Sequence, residues 1–464
     1  MNLTLNKNIK AGAFYVFANF FDKALIFLTI PVFTRILSTS DYGIVSTYLS
    51  IVSTMSIIIG LSLGSSLRSA VIDFKEELDH YLSSILFLAV LNFILTSSII
   101  IIIVTTYFSE LDMVLVLFCL LQSFMSFICI TINIKYMMKG DYIKRTLLLT
   151  LPNIFIVTLS FLFIINMNNN KYLGRIIPYL IITSAVGLFY LVKIFLKNRT
   201  FYNKQYWSYG LKFSLPLIFQ GLSISILSVS DRFILLYYHN ASLVGIYSFI
   251  YSVSMIAFVF TNALESVWIP WFTKKMENNE IAIINRYAKN YINLGLVATI
   301  VILLISPEII TIMAPEEYWA GLPLILPIVL SSFFIFLYSI FVNLEYLLKA
   351  TKQIALISFL TAAINLILNF IFIPNYGAEA AALTTAFSYF ITFVLHGFYS
   401  RKLNRNVFPL SIFLKPFILL IILSIFAKYI IELVLLRYML TIIFITYMYF
   451  SNKNFIHSFY LKKK

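Results

Sequence analysis

Residues 20–55 read FFDKALIFLTIPVFTRILSTSDYGIVSTYLSIVSTM, two long apolar runs joined by a short polar turn. Runs of this kind, about 20 residues long, follow one another along the chain, which is the length that a helix needs to cross the hydrocarbon core of a bilayer. Only helices and closed barrels satisfy their backbone groups in lipid, and these runs are continuous rather than alternating. The sequence therefore predicts an all-α, polytopic membrane bundle.

We predict up to fourteen membrane spans. The last two are the least regular, because Lys415, Lys428 and Arg437 interrupt them, so the expected number is twelve to fourteen. The spans are residues 11–34, 43–67, 81–107, 113–134, 147–166, 176–195, 213–236, 244–267, 291–314, 322–347, 355–373, 380–398, 410–427 and 433–450.

The composition agrees with a membrane protein. The 464 residues are 61% hydrophobic and only 11% charged, with a mean hydropathy of +0.93, whereas a soluble domain carries about 25% charge. Cys119 and Cys129 fall in one predicted span, about 15 Å apart along its axis, which is too far for a disulfide. The net charge of +15 is spread over loops, without a basic groove interleaved with aromatic residues, so we expect a topology signal and no nucleic-acid partner.

The positive charges fall on one side of the predicted membrane. With the N-terminus inside, 25 of the 34 lysines and arginines lie on inner segments, four lie on outer segments, and five lie in or beside spans. This distribution obeys the positive-inside rule and predicts cytoplasmic N- and C-termini.

Two stretches about 200 residues apart resemble each other. The second reads SVSDRFILLYYHNASLVGIYSFIYSVSM at residues 228–255, and each copy holds an acidic-basic pair inside a span and a glycine near the start of the next span. Such a parallel repeat is typical of alternating-access carriers, although chance similarity in a low-complexity sequence is the alternative. The aligned residues are Gly43, Ile44, Ser46 and Ser50 with Gly245, Ile246, Ser248 and Ser252.

The repeat predicts two pseudo-symmetric six-helix lobes. The expected boundaries are residues 1–200 for the N-terminal lobe and 201–400 for the C-terminal lobe. Residues 401–464 would add an extra helix pair and a basic cytoplasmic tail.

Several blocks of the chain resemble the Wzx-type O-antigen and polysaccharide flippases of the MOP superfamily. These blocks are FLTIPVFTRILSTSDYGIVSTYLS, YGLKFSLPLIFQGLSISILSVSDRFILLYY followed by VGIYSFIYSVSMI, and NLEYLLKATKQIALISFLTAAINLILNFIFIPNYGAEAAALTTAFSYF. The last block is the most specific, whereas the final two spans match no pattern of the family. The resemblance implies transport of an undecaprenyl-pyrophosphate-linked oligosaccharide from the cytoplasmic to the outer leaflet of a bacterial cytoplasmic membrane, in association with a glycan polymerase and a chain-length regulator.

Charged residues inside spans are the candidate site residues, because a charge in lipid persists only where it faces a cavity or a partner. We expect three cations to attract the pyrophosphate: Lys23, Arg68 and Arg232. Four acidic residues would moderate that attraction or take a coupling ion, H⁺ or Na⁺: Asp22, Asp231, Glu265 and Glu345. Arg35, beside Asp41 at an outer turn, is a topology or capping residue or assists substrate release.

A structural role is the alternative for each of these charges. Neighbouring residues on a helix point about 100° apart, so Asp22 and Lys23 cannot both face one cavity squarely. Each charge could instead pair with an opposite charge on an adjacent helix and stabilise the packing of the two helices. Charged side chains near the membrane–water interface could also extend their charged ends into the water. Polar span residues such as Asn365 and Asn369 could line a sugar path or make interhelical hydrogen bonds.

Enzyme motifs are missing from the sequence. The four histidines are far apart, and no zinc-binding motif, Walker sequence or glycine-rich phosphate loop occurs, so we expect no cofactor and no ATP hydrolysis. A cation or drug antiporter of the same superfamily is the nearest alternative function. A membrane glycan polymerase or ligase is the enzymatic alternative, and the short outer loops argue against it.

Overall fold

The computed structural model describes residue 25 and residues 27–460, and every regular element in this part of the chain is a helix. The helices are α1 Phe27–Ile36, α2 Thr39–Ile59, α3 Leu67–Asp73, α4 Leu78–Tyr107, α5 Met113–Lys139, α6 Tyr142–Asn166, α7 Leu173–Asn198, α8 Lys204–Tyr238, α9 Ala241–Glu277, α10 Ile281–Met313, α11 Ile325–Leu347, α12 Thr351–Leu403, α13 Ser411–Glu432 and α14 Val434–Tyr460. Short 3-10 helices, Leu63–Ser66 and Glu316–Leu324, precede α3 and α11.

Ten of the described helices are long and apolar enough to cross a membrane. The chain is therefore a multi-pass membrane protein, and the predicted all-α class is confirmed. α12 is 53 residues long, more than twice the length of one span, and contains both predicted spans 355–373 and 380–398.

α12 is broken at Gly377, whose φ of 57° and ψ of −136° lie outside the helical region. A short loop was expected here, but a sharp bend at one residue takes its place. Pro374 precedes the bend, and the His239 ring donates a hydrogen bond from Nε2 to the carbonyl of Ile373 at 2.8 Å. That bond attaches the residue after α8 to α12 four residues before the bend.

The second predicted span, residues 43–67, was wrong as a continuous helix. α2 ends at Ile59, and Leu61 and Ser62 both have positive φ values, 47° and 49°. The side-chain amide of Asn92 on α4 donates to the carbonyls of Ile58 and Ile59, at 3.0 and 2.9 Å. An amide from a neighbouring helix therefore replaces the hydrogen bonds that continuation of α2 would have made.

Contacts between Cα atoms divide the chain into two compact units, residues 1–225 and 226–464, each with its own apolar core. The core of the first unit is formed around Leu63, Tyr81 and Ile128. The core of the second unit is formed around stacked aromatic rings, with Trp268 and Tyr291 centroids 4.5 Å apart.

A partly buried ion pair connects α14 to α10 within the second unit. The Arg437 guanidinium on α14 is 3% exposed and lies 2.6 Å from a Glu308 carboxylate oxygen on α10. It also donates to the Leu304 carbonyl at 3.0 Å. Arg437, one of the charges that made the last spans irregular in sequence, therefore has a partner on another helix. Lys415, on the exposed side of α13, contacts the Tyr447 hydroxyl of α14 at 3.2 Å.

The two sequence repeats show the same local geometry. Gly43 is the fifth residue of α2, and Gly245 is the fifth residue of α9. The Ser50 hydroxyl donates to the Ser46 carbonyl at 2.8 Å, and the aligned Ser252 hydroxyl donates to the Ser248 carbonyl, also at 2.8 Å. The aligned positions therefore make equivalent bonds in separate units.

Candidate functional site

The second unit contains a buried charged cluster where α8 packs against α9. Asp231 is 1% exposed and Arg232 is 7% exposed. The Tyr247 hydroxyl of α9 donates to the Asp231 carboxylate, and the Arg232 Nε donates to the Ser248 hydroxyl at 3.1 Å. Because their partners lie on the adjacent helix, these two residues both face α9 although they are neighbours in sequence.

The Arg232 guanidinium is held mainly by neutral groups. It donates to the Ser228 carbonyl at 2.7 Å and lies over the Tyr251 ring, 4.8 Å from its centroid. Its contact with the Asp231 carboxylate is longer, at 3.9 Å. The positive charge is therefore retained inside the unit without a tight ion pair.

A network of neutral polar side chains adjoins this cluster. The Ser230 hydroxyl lies between Asn365 and Asn369 of α12, at 3.3 Å from each amide. Asn365 donates to the Ser388 hydroxyl at 3.2 Å, and the Thr384 hydroxyl donates to Asn369 at 2.5 Å. Asn365 and Asn369 are 0% exposed, so in this structure they make interhelical hydrogen bonds rather than line an open path.

Glu345 and His396 form a second buried ionisable pair. Nδ1 of His396 on α12 lies 2.9 Å from one Glu345 carboxylate oxygen on α11 and 3.1 Å from the other. Their side chains are 0% and 1% exposed. Glu345 was a candidate from sequence, but its histidine partner was not, because four distant histidines carry no spacing signal.

Aromatic rings lie between the two ionisable pairs. The Tyr338 ring stacks on the His396 ring with centroids 5.7 Å apart, and on the Tyr389 ring at 6.3 Å. Tyr389 in turn lies near Tyr251 and Asp231. The second unit therefore brings Asp231, Arg232 and Glu345 into one aromatic-lined layer, a grouping that the sequence did not predict.

Of the remaining candidates, Glu265 lies near Tyr338 in the second unit, Arg68 and Arg35 belong to the first unit, and the other two fall outside the described residues. Glu265 is half-buried and accepts a hydrogen bond from the Asn343 amide at 3.1 Å. Arg68 is exposed on α3, directly after the break in α2. Arg35 is exposed and donates to the Pro31 carbonyl at 2.9 Å, whereas Asp22 and Lys23 fall outside the residues that the structure describes.

Ser38 caps α2 at the turn beside Arg35, and its hydroxyl accepts a hydrogen bond from the Asp41 N–H. The Asp41 carboxylate accepts from the Tyr172 N–H at 3.2 Å. Within the described residues, no group of three histidine, cysteine, aspartate or glutamate side chains is placed to hold a metal ion.

A comparison with protein families places the sequence of this chain in a family. The family model described as "Polysaccharide biosynthesis protein" matches residues 9–276. No curated protein shows significant sequence similarity to the chain.

Solved structures of flippases and transporters share the fold. The lipid II flippase MurJ in its inward closed conformation has a TM-score of 0.70 at 17% identity, covering 95% of this chain and 99% of that one. An inward-facing multidrug resistance MATE family transporter of the MOP superfamily has a TM-score of 0.59 at 14% identity, with coverages of 82% and 96%. An outward-facing MATE transporter scores 0.54 at 14% identity, with coverages of 82% and 92%. At these identities the similarity shows that the chain shares the fold of these proteins.

Proposed function

We propose that this chain, which belongs to the polysaccharide biosynthesis protein family, moves an undecaprenyl-pyrophosphate-linked oligosaccharide across a membrane. The cargo would be an O-antigen or capsular repeat unit, carried from the cytoplasmic to the outer leaflet by alternating access. The family match over residues 9–276 carries this proposal. The fold shared with a structure named as a lipid II flippase supports it.

The chemistry of that substrate suits what the chain provides. A pyrophosphate with attached sugars cannot cross hydrocarbon unaided, whereas a polyprenyl tail remains in it. The carrier must therefore present positive charge at membrane depth, and Arg232 supplies such a charge inside the second unit. Since its hydrogen-bond acceptors are Ser228 and Ser248, a pyrophosphate can replace them without breaking a tight ion pair.

We assign the other candidate residues supporting roles in this proposal. Lys23 and Arg68 would attract the pyrophosphate together with Arg232, and Arg35 would assist release. Asp22, Asp231 and Glu265 would moderate the attraction.

Glu345 would carry the coupling ion. Its partner is a ring nitrogen of His396, a group that binds protons, rather than the shell of oxygen atoms that a sodium ion requires. A proton is therefore the coupling ion that this pair fits.

The proposal places the chain in the bacterial cytoplasmic membrane with both termini in the cytoplasm. The 25 basic residues on the predicted inner segments support that orientation. A glycan polymerase and a chain-length regulator would act on the cargo after it reaches the outer leaflet.

The test is complementation of a strain that lacks the gene. Arg232→Ala and Lys23→Ala should abolish surface polysaccharide and leave the lipid-linked oligosaccharide in the inner leaflet, while the protein still inserts. Lys415→Ala is the matched control, because Lys415 is a cation in a predicted span with an exposed side chain. Full complementation by both variants would refute the assigned roles.

A second measurement separates the flippase from an antiporter. The MATE transporters that share the fold make export of an organic cation the relevant alternative. Efflux of such a cation, with normal leaflet distribution of the oligosaccharide in the deletion strain, would favour the antiporter and contradict the flippase.

A further inference from the structure

Three lysines pair with a single carboxylate at one end of the first unit, and a fourth lysine lines the same cleft. Asp79, at the start of α4, lies 2.8 Å from the Nζ of Lys135, 3.3 Å from that of Lys139 and 3.7 Å from that of Lys197. Lys193, one turn before Lys197 on α7, lines the same cleft. One negative charge therefore faces four positive charges.

The surplus positive charge is not cancelled by other acidic groups lining the cleft. Among the described residues, its remaining lining is apolar, aromatic or amide, with Tyr136 and Tyr190 rings 6.1 Å apart. Asp141 lies near Tyr136, but its carboxylate pairs with Lys144 at 3.5 Å. The lysines repel one another, so an anion that enters the cleft relieves that repulsion.

An apolar face of α7 continues from the cleft. One groove is lined by five apolar residues of α7 together with Lys193. The five lie on one face of the helix, at positions adjacent or three or four residues apart: Ala185, Leu188, Phe189, Val192 and Leu196. Leu188, Phe189, Val192 and Leu196 are 45% to 67% exposed. Lys193 belongs to both the charged cleft and this groove, and its Nζ lies 5.5 Å from the Phe189 ring centroid.

From this juxtaposition we infer that the ends of α4, α5 and α7 form a binding site for an anionic phospholipid. The headgroup phosphate enters the lysine cleft beside Asp79, and an acyl chain lies along the apolar face of α7. Basic pockets between transmembrane helices, close to interfacial aromatic rings, suit anionic lipid headgroups. A free phosphate would use the cleft but gain nothing from the adjoining groove, so the continuity between them favours a lipid.

The site is built from residues of the first unit, whereas Arg232 and Glu345 belong to the second unit. The inference therefore does not depend on which molecule the carrier moves. The lipid would be a resident of the bilayer rather than cargo.

Native mass spectrometry of the full chain in detergent, titrated with phosphatidylglycerol, tests the inference. We expect the double variant Lys193→Gln/Lys197→Gln to bind this lipid roughly tenfold more weakly, since each surface lysine makes a substantial contribution to anionic-lipid binding. Both lysines are exposed, so the fold should tolerate their replacement. Lys349→Gln/Lys352→Gln, two exposed lysines of the second unit, make the same charge change and should leave binding unchanged.

Two further arms distinguish the lipid from other ligands and from a structural role. Asp79→Asn should tighten phosphatidylglycerol binding, because it removes the carboxylate that competes for the lysines. Glycerol 3-phosphate and inorganic phosphate lack the acyl chain, so they should displace the lipid only at concentrations far above its own, and phosphatidylcholine should bind weakly. Equal losses in both double variants, or displacement of the lipid by inorganic phosphate at a concentration equal to that of the lipid, would overturn the inference.

Discussion

Glu345 lies wholly inside the second unit, and the His396 ring is its hydrogen-bond partner. A buried carboxylate is tolerated only when a charged or hydrogen-bonding partner compensates for the loss of water. His396 supplies that partner from α12, so the pair connects α11 to α12 at a point that neither helix alone would stabilise.

We expect His396→Leu to lower the free energy of unfolding by about 3 kcal/mol, because it leaves the Glu345 carboxylate buried and unpaired. The double variant Glu345→Leu/His396→Leu should recover part of that loss, because it removes the unpaired charge as well. Thermal unfolding of the two single variants and the double variant in detergent measures the coupling. Strictly additive losses would show that the two side chains do not act as a pair.

The sequence predicted which charges lie inside spans, but it did not predict their partners. Asp231, Arg232 and Glu345 stand out because charged residues are costly in an apolar run. Tyr251 and His396 cannot be recognised from sequence in the same way, because aromatic residues and histidine occur throughout such helices. The depth of a residue along a span can be read from sequence, whereas the face of a helix that meets another helix depends on packing.

Helix α2 stores strain where it ends. Leu61 and Ser62 adopt left-handed backbone conformations, which cost an L-residue about 1–2 kcal/mol each. Asn92 fixes the break by capping two carbonyls, and Gly60 permits it, since a Cβ there would lie 2.0 Å from the Phe127 ring. A break that is held by a neighbouring helix is a defined feature of the unit rather than a frayed end.

Replacing Ser62 with glycine should raise the free energy of unfolding by up to about 1 kcal/mol, because glycine adopts positive φ without a steric penalty. Ser53→Gly, in the interior of α2, is the matched control and should lower it by a similar amount. Melting temperatures of the two variants in detergent provide the measurement. A loss of stability in Ser62→Gly as large as in the control would contradict the proposed strain.

Breaks of this kind show the limit of span prediction from hydropathy. The run 43–67 is uniformly apolar, so nothing in its composition marks Leu61 and Ser62 as the end of a helix. The break in α12 at Gly377 is different, because Pro374 and Gly377 are helix-breaking residues that can be recognised in the sequence. Bends that depend on a capping side chain from another helix, such as Asn92, leave no local signal.

The proposed direction of the whole chain through the membrane rests on its charge distribution. Basic residues concentrate on every second connecting segment, which is a property of the complete chain rather than of one helix. Arg437 of α14 contacts Glu308 and Leu304 of α10, so α14 packs as part of the second unit although its sequence is irregular.

Fusion reporters test both the orientation and the number of spans. α13 has 22 residues, about 33 Å, and α14 has 27, so each is long enough to cross the hydrocarbon core. If both cross, alkaline phosphatase fused after residue 433 should be active, because the junction between them faces outward. Fusions after residues 403 and 464 should be inactive and serve as the matched inner controls. An inactive fusion at 433 would reduce the chain to twelve spans, and activity at 464 would reverse the proposed side of the C-terminus.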